Sequence, residues 1–151
     1  MSERHPIIAI TGSSGAGTTS VMRTFDAIFR REGVKAAFVE GDAFHRYDRV
    51  EMKRKMAEEL ARGNAHVSHF GPENNLFEEL ETLFRDYAAG GGGRTRKYLH
   101  DEAEAAPYAL PPGTFTPWQD IEEGTDLLFY EGLHGAVVTE QVNVARHVDL
   151  L

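Results

Sequence analysis

The sequence contains no cysteine, which excludes a disulfide scaffold, a cysteine-ligated zinc or iron–sulfur site and a thiol nucleophile. No apolar run approaches the ~18–20 residues of a membrane span. The apolar stretch near the start is too short for a secretory leader, so we expect a cytoplasmic protein without a membrane partner. With 41% apolar and 26% charged residues over 151 positions, the composition is typical of one globular domain, residues 1–151.

Positive charge is also scarce. The net charge of -8 argues against nucleic acid as a partner, because a phosphate backbone attracts the opposite sign. The scarcity is uneven: residues 1–64 hold 11 Lys and Arg against 9 Asp and Glu, whereas residues 65–151 hold 5 against 15. A small anionic ligand would therefore find most of its cations in the first half of the chain.

Strand-like and helix-like segments alternate along the chain. Short apolar runs predict buried strands, and apolar residues at helical spacing predict amphipathic helices. The alternation predicts an α/β fold with a mainly parallel sheet and right-handed crossovers. The predicted strands are 7–11, 36–40, 126–131 and 148–151, with a polar strand at 94–99; the predicted helices are 18–32, 50–62 and 72–90, and 107–117 is a proline-rich loop.

The break after the first strand is a glycine-rich loop that enters the first helix directly. It reads Gly12-Ser13-Ser14-Gly15-Ala16-Gly17-Thr18-Thr19. This matches the phosphate-loop template G-x-x-x-x-G-K-S/T, except that Thr18 replaces the lysine; Thr19 stands where a hydroxyl meets Mg²⁺. Glycines let backbone N–H groups close around phosphate oxygens, and the helix N-terminus adds further N–H groups. We predict a phosphate site that needs another cation, the alternative being a turn without a ligand.

Two acidic residues follow predicted strands. Glu131 ends the run LLFYEG, which resembles a Walker B strand, and a carboxylate at that edge of a parallel sheet can hold Mg²⁺. Asp42 follows the second strand and emerges at the same edge, where a carboxylate can accept the proton of an attacking hydroxyl. The alternatives are a solvated glutamate at position 131 and a turn or helix N-cap at position 42.

Two basic stretches complete the candidate site. The first follows Asp42 and includes His45, Arg49 and Lys53; the second places Arg94, Arg96, Tyr98 and His100 on one side of the polar strand. Arg49 and Lys53 share a helix face at a spacing of four, and a forked guanidinium suits phosphate. Ordinary solvated faces are the alternative for both stretches. His66 and His69 receive no role, and no group of residues has a compelling zinc-ligand spacing.

These segments together resemble phosphoribulokinases of the bacterial type. The resemblance rests on ITGSSGAGT, REGVKA, EGDAFHR, GRTRKYLHD and LLFYEGLHGAVV, in that order. It implies a P-loop NTPase-like, three-layer αβα fold with a mainly parallel central sheet. It also implies transfer of the ATP γ-phosphate, with Mg²⁺, to the C1 hydroxyl of ribulose 5-phosphate, giving ribulose 1,5-bisphosphate for the Calvin cycle. The bacterial type shares the loop without lysine, so Thr18 agrees with the family.

The resemblance also implies roles for single residues. ATP would lie on residues 12–19, with Asp42 as general base and with Thr19 and Glu131 at Mg²⁺. Arg31 would take part in the response to effectors, and NADH activation, AMP inhibition and a homo-oligomeric assembly are implied with it. The sugar phosphate would be bound by His45, Arg49, Lys53, Tyr98 and His100.

The family's chains are longer, and this sequence matches about their first half. The resemblance places further cations and a second active-site aspartate in the remainder. We therefore expect little or no activity from residues 1–151 alone, together with exposed apolar sheet surface and an unpaired edge. Two alternatives stay open: a related P-loop kinase such as uridine kinase, and a nucleotide-binding fragment that does not catalyse.

Overall fold

The computed structural model describes residues 4–13 and 15–151. Five strands and four α-helices are found within these residues, with short 3₁₀ turns between them. In chain order they are β1 (Ile7–Thr11), α1 (Thr18–Glu32), β2 (Ala36–Glu40), α2 (Arg49–Ala61), α3 (Phe77–Gly90), β3 (Arg94–Thr95), α4 (Glu102–Ala105), β4 (Gln119–Asp120) and β5 (Leu127–Gly132). The predicted bounds of β1, α1 and β2 are confirmed, and α2 begins and ends one residue earlier than predicted.

The central sheet, within the described residues, has the strand order β1-β5-β2, and both pairings are parallel. The last of the three strands in the sequence therefore lies in the middle. In this register Thr11 of β1 lies beside Gly132 of β5, and Glu40 of β2 lies beside Glu131. The segments that follow β1 and β2 thus leave the sheet next to the end of β5, as the predicted parallel sheet requires.

Helices cover both faces of this sheet, which gives the predicted three layers. Leu127 and Phe129 of β5 point to one face and pack against α1 through Phe25 and Phe29; the Phe25 and Phe129 rings are 5.1 Å apart. The other face packs on α3, and the Phe84 ring meets the Tyr130 ring edge-on at 5.6 Å. Successive side chains of β5 point to opposite faces of the sheet, so this buried strand contributes to the hydrophobic cores on both faces.

The predicted polar strand at 94–99 is wrong. Only Arg94–Thr95 is a strand, and it pairs antiparallel with Gln119–Asp120 in a separate two-stranded ribbon. The strand stops because Arg96 turns inward: its guanidinium donates to the carbonyl oxygens of Ala43 and His45 and lies 3.6 Å above the Phe115 ring. The predicted alternation of four side chains on one side of a strand is therefore also wrong.

Two other segments differ from the prediction. Pro72–Asn74 forms a 3₁₀ turn rather than the start of the long helix, which begins at Phe77. The predicted last strand is reduced to one parallel bridge between Leu150 and Ile8. This bridge, with Ala9 N donating to Leu150 O at 2.8 Å, places the last residues beside the outer edge of β1. None of the helices in the described ranges is long and apolar enough to cross a bilayer.

Candidate active site at the carboxyl edge of the sheet

The glycine-rich loop connects β1 to α1, as the template requires. Gly15 and Gly17 have φ angles of 83° and 85°, in the left-handed region that glycine adopts without strain. Gly17 is the N-cap of α1 and has no side chain that could cap the helix. The first N–H groups of α1 therefore point toward the loop without a hydrogen bond from the N-cap residue. The loop is tied to β5 by Gly12 N, which donates to Gly132 O at 3.2 Å. Ser14, predicted to contact ATP, lies outside the described residues.

Thr18, at the position of the usual lysine, contacts Glu131, the predicted Walker B acid. Its hydroxyl donates to Glu131 Oε1 at 2.5 Å. Thr19 and Glu131 line the same cleft beside the loop, and their role as metal ligands stays a prediction. Thr18 therefore hydrogen-bonds a carboxylate instead of supplying a positive charge to the loop. No cluster of three or more His, Asp or Glu side chains able to hold a metal ion is found in the described part of the chain.

Asp42 lies in the 3₁₀ turn Gly41–Phe44, which follows β2 directly. Rather than capping a helix, its carboxylate is bound by two imidazoles. His100 Nε2 donates to Oδ2 at 2.7 Å, and His45 Nε2 lies 3.3 Å from Oδ1. Hydrogen bonds from His100 and then His45 hold the pKa of Asp42 well below its usual value, so the carboxylate is ionised at neutral pH.

His100 lies between two carboxylates. Its Nδ1 contacts Glu104 Oε2 at 2.9 Å, and hydrogen bonds to Asp42 and Glu104 raise the pKa of His100 from 6.5 to about 9. A raised pKa in the folded chain means that this interaction stabilises fully below pH 6.5 and is lost as the pH rises through about 9. The lowered pKa of Asp42 acts in the opposite direction, stabilising above the ordinary value of 3.8 and losing effect as the pH falls below it.

A cavity of about 450 Å³ opens on one side of Asp42 and is called the basic cavity here. It is lined by Asp42, His45, Tyr47, Asp48, Arg49, Met52, Lys53, Met56, His69, Asn74 and Tyr98. Helix α2 supplies Arg49 and Lys53 from one face, as their spacing predicted. The helix starts there because Asp48 and Glu51 form a capping box. Arg49 is held in place by a 2.7 Å hydrogen bond to His100 O.

A second opening, the loop cleft, also has Asp42 in its lining and has a volume of about 360 Å³. Its lining is Gly12, Ser13, Gly15, Thr18, Thr19, Met22, Glu40, Asp42, Phe70, His100, Glu104, Glu131, Gly132 and Leu133. The Asp42 carboxylate is thus shared by the two openings. Of the five residues expected at the sugar phosphate, four line the basic cavity, and His100 lines the loop cleft.

Other candidate residues lie away from these openings. Arg31 is in the last turn of α1, where its side chain is 73% exposed and pairs with Glu32 at 2.9 Å. Its predicted effector role stays a prediction. Arg94 is on the surface 3.8 Å from Asp120, and Arg96 is committed to backbone carbonyls, so neither belongs to the basic cavity.

The structure adds residues that the sequence did not indicate. His69, taken as a loop residue, lines the basic cavity together with the buried Asn74. Asn75 accepts a hydrogen bond from His45 Nδ1 at 2.9 Å, and Glu104 holds His100 as described above. Their partners are 30 and 4 residues away in the chain. An Asp-x-x-Glu helix start at Asp101 was the one local signal that could have drawn attention to Glu104.

The loop, the carboxylate on the neighbouring strand and the three layers define a P-loop kinase fold. The family profile described as "Phosphoribulokinase / Uridine kinase family" matches residues 7–151, and the chain belongs to this family.

Curated relatives agree with the family. The chain is 68% identical over 151 residues to the chromosomal phosphoribulokinase of Cupriavidus necator, covering 100% of this chain and 52% of the relative. It is 65% identical over 150 residues to the phosphoribulokinase of Nitrobacter vulgaris, covering 99% of this chain and 52% of the relative. The chain therefore spans about half the length of these curated relatives.

Solved structures agree as well. Phosphoribulokinase from Rhodobacter spheroides superposes with a TM-score of 0.87 at 51% identity, covering 99% of this chain and 50% of that one. A putative fructose transport system kinase from Silicibacter superposes with a TM-score of 0.66 at 15% identity, covering 97% of this chain and 63% of that one, which shows a shared fold.

Proposed function

We propose that this chain forms the ATP site, the base and the sugar-phosphate site of a phosphoribulokinase. The reaction is transfer of the ATP γ-phosphate to the C1 hydroxyl of ribulose 5-phosphate, giving ribulose 1,5-bisphosphate. The observation that carries the proposal is that Asp42 lines both the loop cleft and the basic cavity. A hydroxyl in one opening and a phosphate in the other would meet at this carboxylate.

ATP would bind by its phosphates to the described N–H groups of residues 12–19 and to the N-terminus of α1. The hydroxyl of Thr19 and the carboxylate of Glu131 are oxygen ligands of the kind that Mg²⁺ prefers, and Mg²⁺ takes few protein ligands beside phosphates and water. The residues therefore fit the ion. When bound there, Mg²⁺ would neutralise charge on the transferring phosphoryl group. Thr18, which hydrogen-bonds Glu131, would hold this carboxylate beside the loop.

Asp42 would act on the nucleophile. The C1 hydroxyl donates its proton to the carboxylate as its oxygen bonds to the γ-phosphorus, the bond to the bridging oxygen breaks, and ADP leaves. The lowered pKa of Asp42 keeps the group in the form that accepts a hydrogen bond throughout the neutral range. The carboxylate orients the hydroxyl before transfer, which is a large part of catalysis for a loose phosphoryl transition state.

The basic cavity supports a phosphorylated substrate over a nucleoside. Arg49 and Lys53 face it from α2, with His45 and His69 opposite. Uridine carries no charge and would leave these cations without an anionic partner. A place in the Calvin cycle follows from the same substrate. A cytoplasmic location, NADH and AMP as effectors and a homo-oligomer stay predictions of the resemblance.

Lys53→Gln is expected to weaken ribulose 5-phosphate binding about 10–100-fold, because one charge-assisted hydrogen bond to phosphate is worth about 1.5–3 kcal/mol. Titration calorimetry on this chain measures it, with ATP affinity as the internal reference. Arg54→Gln, one residue further along α2 and outside the lining of the basic cavity, is the matched control. Equal losses in the two variants, or a parallel loss of ATP affinity, would place the sugar phosphate elsewhere.

A further inference from the structure

The two imidazoles at Asp42 are each held a second time, at the ring nitrogen that faces away from the carboxylate. His45 Nδ1 lies 2.9 Å from Asn75 Oδ1, and His100 Nδ1 lies 2.9 Å from Glu104 Oε2. Two short chains of hydrogen bonds therefore converge on one carboxylate, one reaching Oδ1 and the other reaching Oδ2.

Both anchors are themselves fixed. Asn75 is 2% exposed, and its Nδ2 donates to the carbonyl oxygens of His69 and Gly71 at 2.9 and 2.8 Å. Since both amide hydrogens are used, Oδ1 must face His45. Glu104 is in the first turn of α4, where Glu104 N donates to the N-cap residue Asp101, and its Oε2 also accepts from His100 N at 3.0 Å.

The two anchors differ in charge, and the difference decides what each imidazole does. An amide oxygen and a carboxylate can only accept, so both histidines donate from Nδ1. Glu104 adds a negative charge beside His100, which favours the doubly protonated ring that donates to Asp42 at 2.7 Å. Asn75 orients His45 without adding charge, and the His45 contact to Asp42 is longer, at 3.3 Å.

We propose that Glu104 and Asn75 are positioning residues at Asp42: Glu104 fixes Oδ2 through His100, and Asn75 fixes the orientation of the His45 ring beside Oδ1. The inference rests on the proposed function, in which Asp42 takes the proton of the substrate. His100, held by Glu104, keeps Oδ2 in place, whereas the longer His45 contact gives way to the substrate hydroxyl. Oδ1 is therefore the oxygen that accepts the proton, and it is the Asp42 oxygen on the side of His45, which lines the basic cavity.

The charged and titratable groups around His100 come from several elements. Asp42 faces it from the 3₁₀ turn, Glu104 from α4 and Glu40 from β2, where burial raises the pKa of Glu40. The Tyr98 and His100 rings are perpendicular, with their centroids 4.8 Å apart, and Arg49 contacts the backbone oxygen of His100. Of these groups, Asp42 and Glu104 contact the ring nitrogens, so their charges dominate.

Titration of the imidazole ¹⁵N signals in the 151-residue chain tests the proposal. Glu104→Gln keeps an acceptor at the same place but removes its charge, and should lower the pKa of His100 by about one unit or more. Glu102→Gln in the same turn of α4 is the control and should leave the pKa of His100 unchanged.

An unchanged His100 titration in Glu104→Gln, with native backbone signals, would overturn the proposal. Asn75→Ala gives an independent test: the His45 Nδ1 proton should exchange faster and its ¹⁵N signal should move, while His100 stays as before. If Asn75→Ala unfolds the chain, the Glu104→Gln variant alone tests the proposal, because Glu104 is exposed. These NMR measurements do not depend on turnover. The positioning role is therefore tested separately from the proposed function, whose failure would appear as a lack of kinase activity.

Discussion

Asp42→Asn is expected to lower phosphoryl transfer to ribulose 5-phosphate about 10²–10⁴-fold, the usual contribution of a proton-accepting side chain. The amide keeps the shape of the carboxylate but cannot take the hydroxyl proton. ATP affinity should be unchanged within about 2-fold. The ATP phosphates are expected to bind to the loop and to the N-terminus of α1, and a carboxylate at position 42 does not attract them. Turnover can be followed in a protein in which this chain is joined to the part of the Cupriavidus necator relative that it does not cover.

The control for this variant is Asp120→Asn. Asp120 is 89% exposed at the side chain and lies 3.8 Å from Arg94, in neither opening of the site, so its loss should leave turnover unchanged. Undiminished turnover in Asp42→Asn would exclude Asp42 as the base. Loss of ATP binding together with turnover would give Asp42 a structural role instead.

Gly132→Ala is expected to destabilise the fold by about 1–3 kcal/mol, the usual cost of forcing a methyl group into a packed site. A Cβ at position 132 would lie 2.6 Å from the Tyr130 hydroxyl oxygen and 2.8 Å from Gly41 Cα. Tyr130 is fully buried, and its hydroxyl accepts a hydrogen bond from His134 N at 3.2 Å. Neither neighbour can move freely, so the ends of β5 and β2 must separate.

This separation should also reduce activity by more than about 10-fold, since about 1 Å of displacement in a catalytic group costs as much or more. Gly132 follows Glu131, and Gly41 precedes Asp42, so both carboxylates would shift. Urea unfolding measures the loss of stability. Gly90→Ala is the control, because a Cβ at the end of α3 meets no atom within 4 Å, and it should be neutral or slightly stabilising. Equal changes in both variants would contradict the packing argument.

The sequence predicted the central elements well because their patterns are local. The β-branched run Ile7–Thr11, the helical spacing in Thr18–Glu32 and the stop at Gly33 all lie within a few residues of one another. Gly33 has a φ of 68° at the C-cap of α1, as a helix-ending glycine does. The prediction of the polar strand was wrong because contacts between distant residues outweigh the local pattern. Arg96 donates to the carbonyl oxygens of Ala43 and His45, some 50 residues earlier.

The residues of the candidate site could also be predicted where they are close in sequence and not where they are distant. Asp42, His45, Arg49 and Lys53 could be grouped because they fall within one turn and the helix that follows. The role of Asn75 could not be predicted, since Asn75 lies 30 residues from His45. Glu104 is only four residues from His100, but its role depends on the contact of His100 with Asp42, 58 residues away. The contact between Thr18 and Glu131, 113 residues apart, was equally hidden, although both residues were expected at the ATP site.

Comparison of ribulose 5-phosphate with uridine in the joined protein tests the central claim most directly. Two cations of α2 line the cavity that also contains the proposed base, so the kcat/KM for ribulose 5-phosphate should be about 100-fold higher than the kcat/KM for uridine. This ratio corresponds to about 2.7 kcal/mol of transition-state binding. Faster phosphorylation of uridine would contradict it and would make the chain part of a nucleoside kinase.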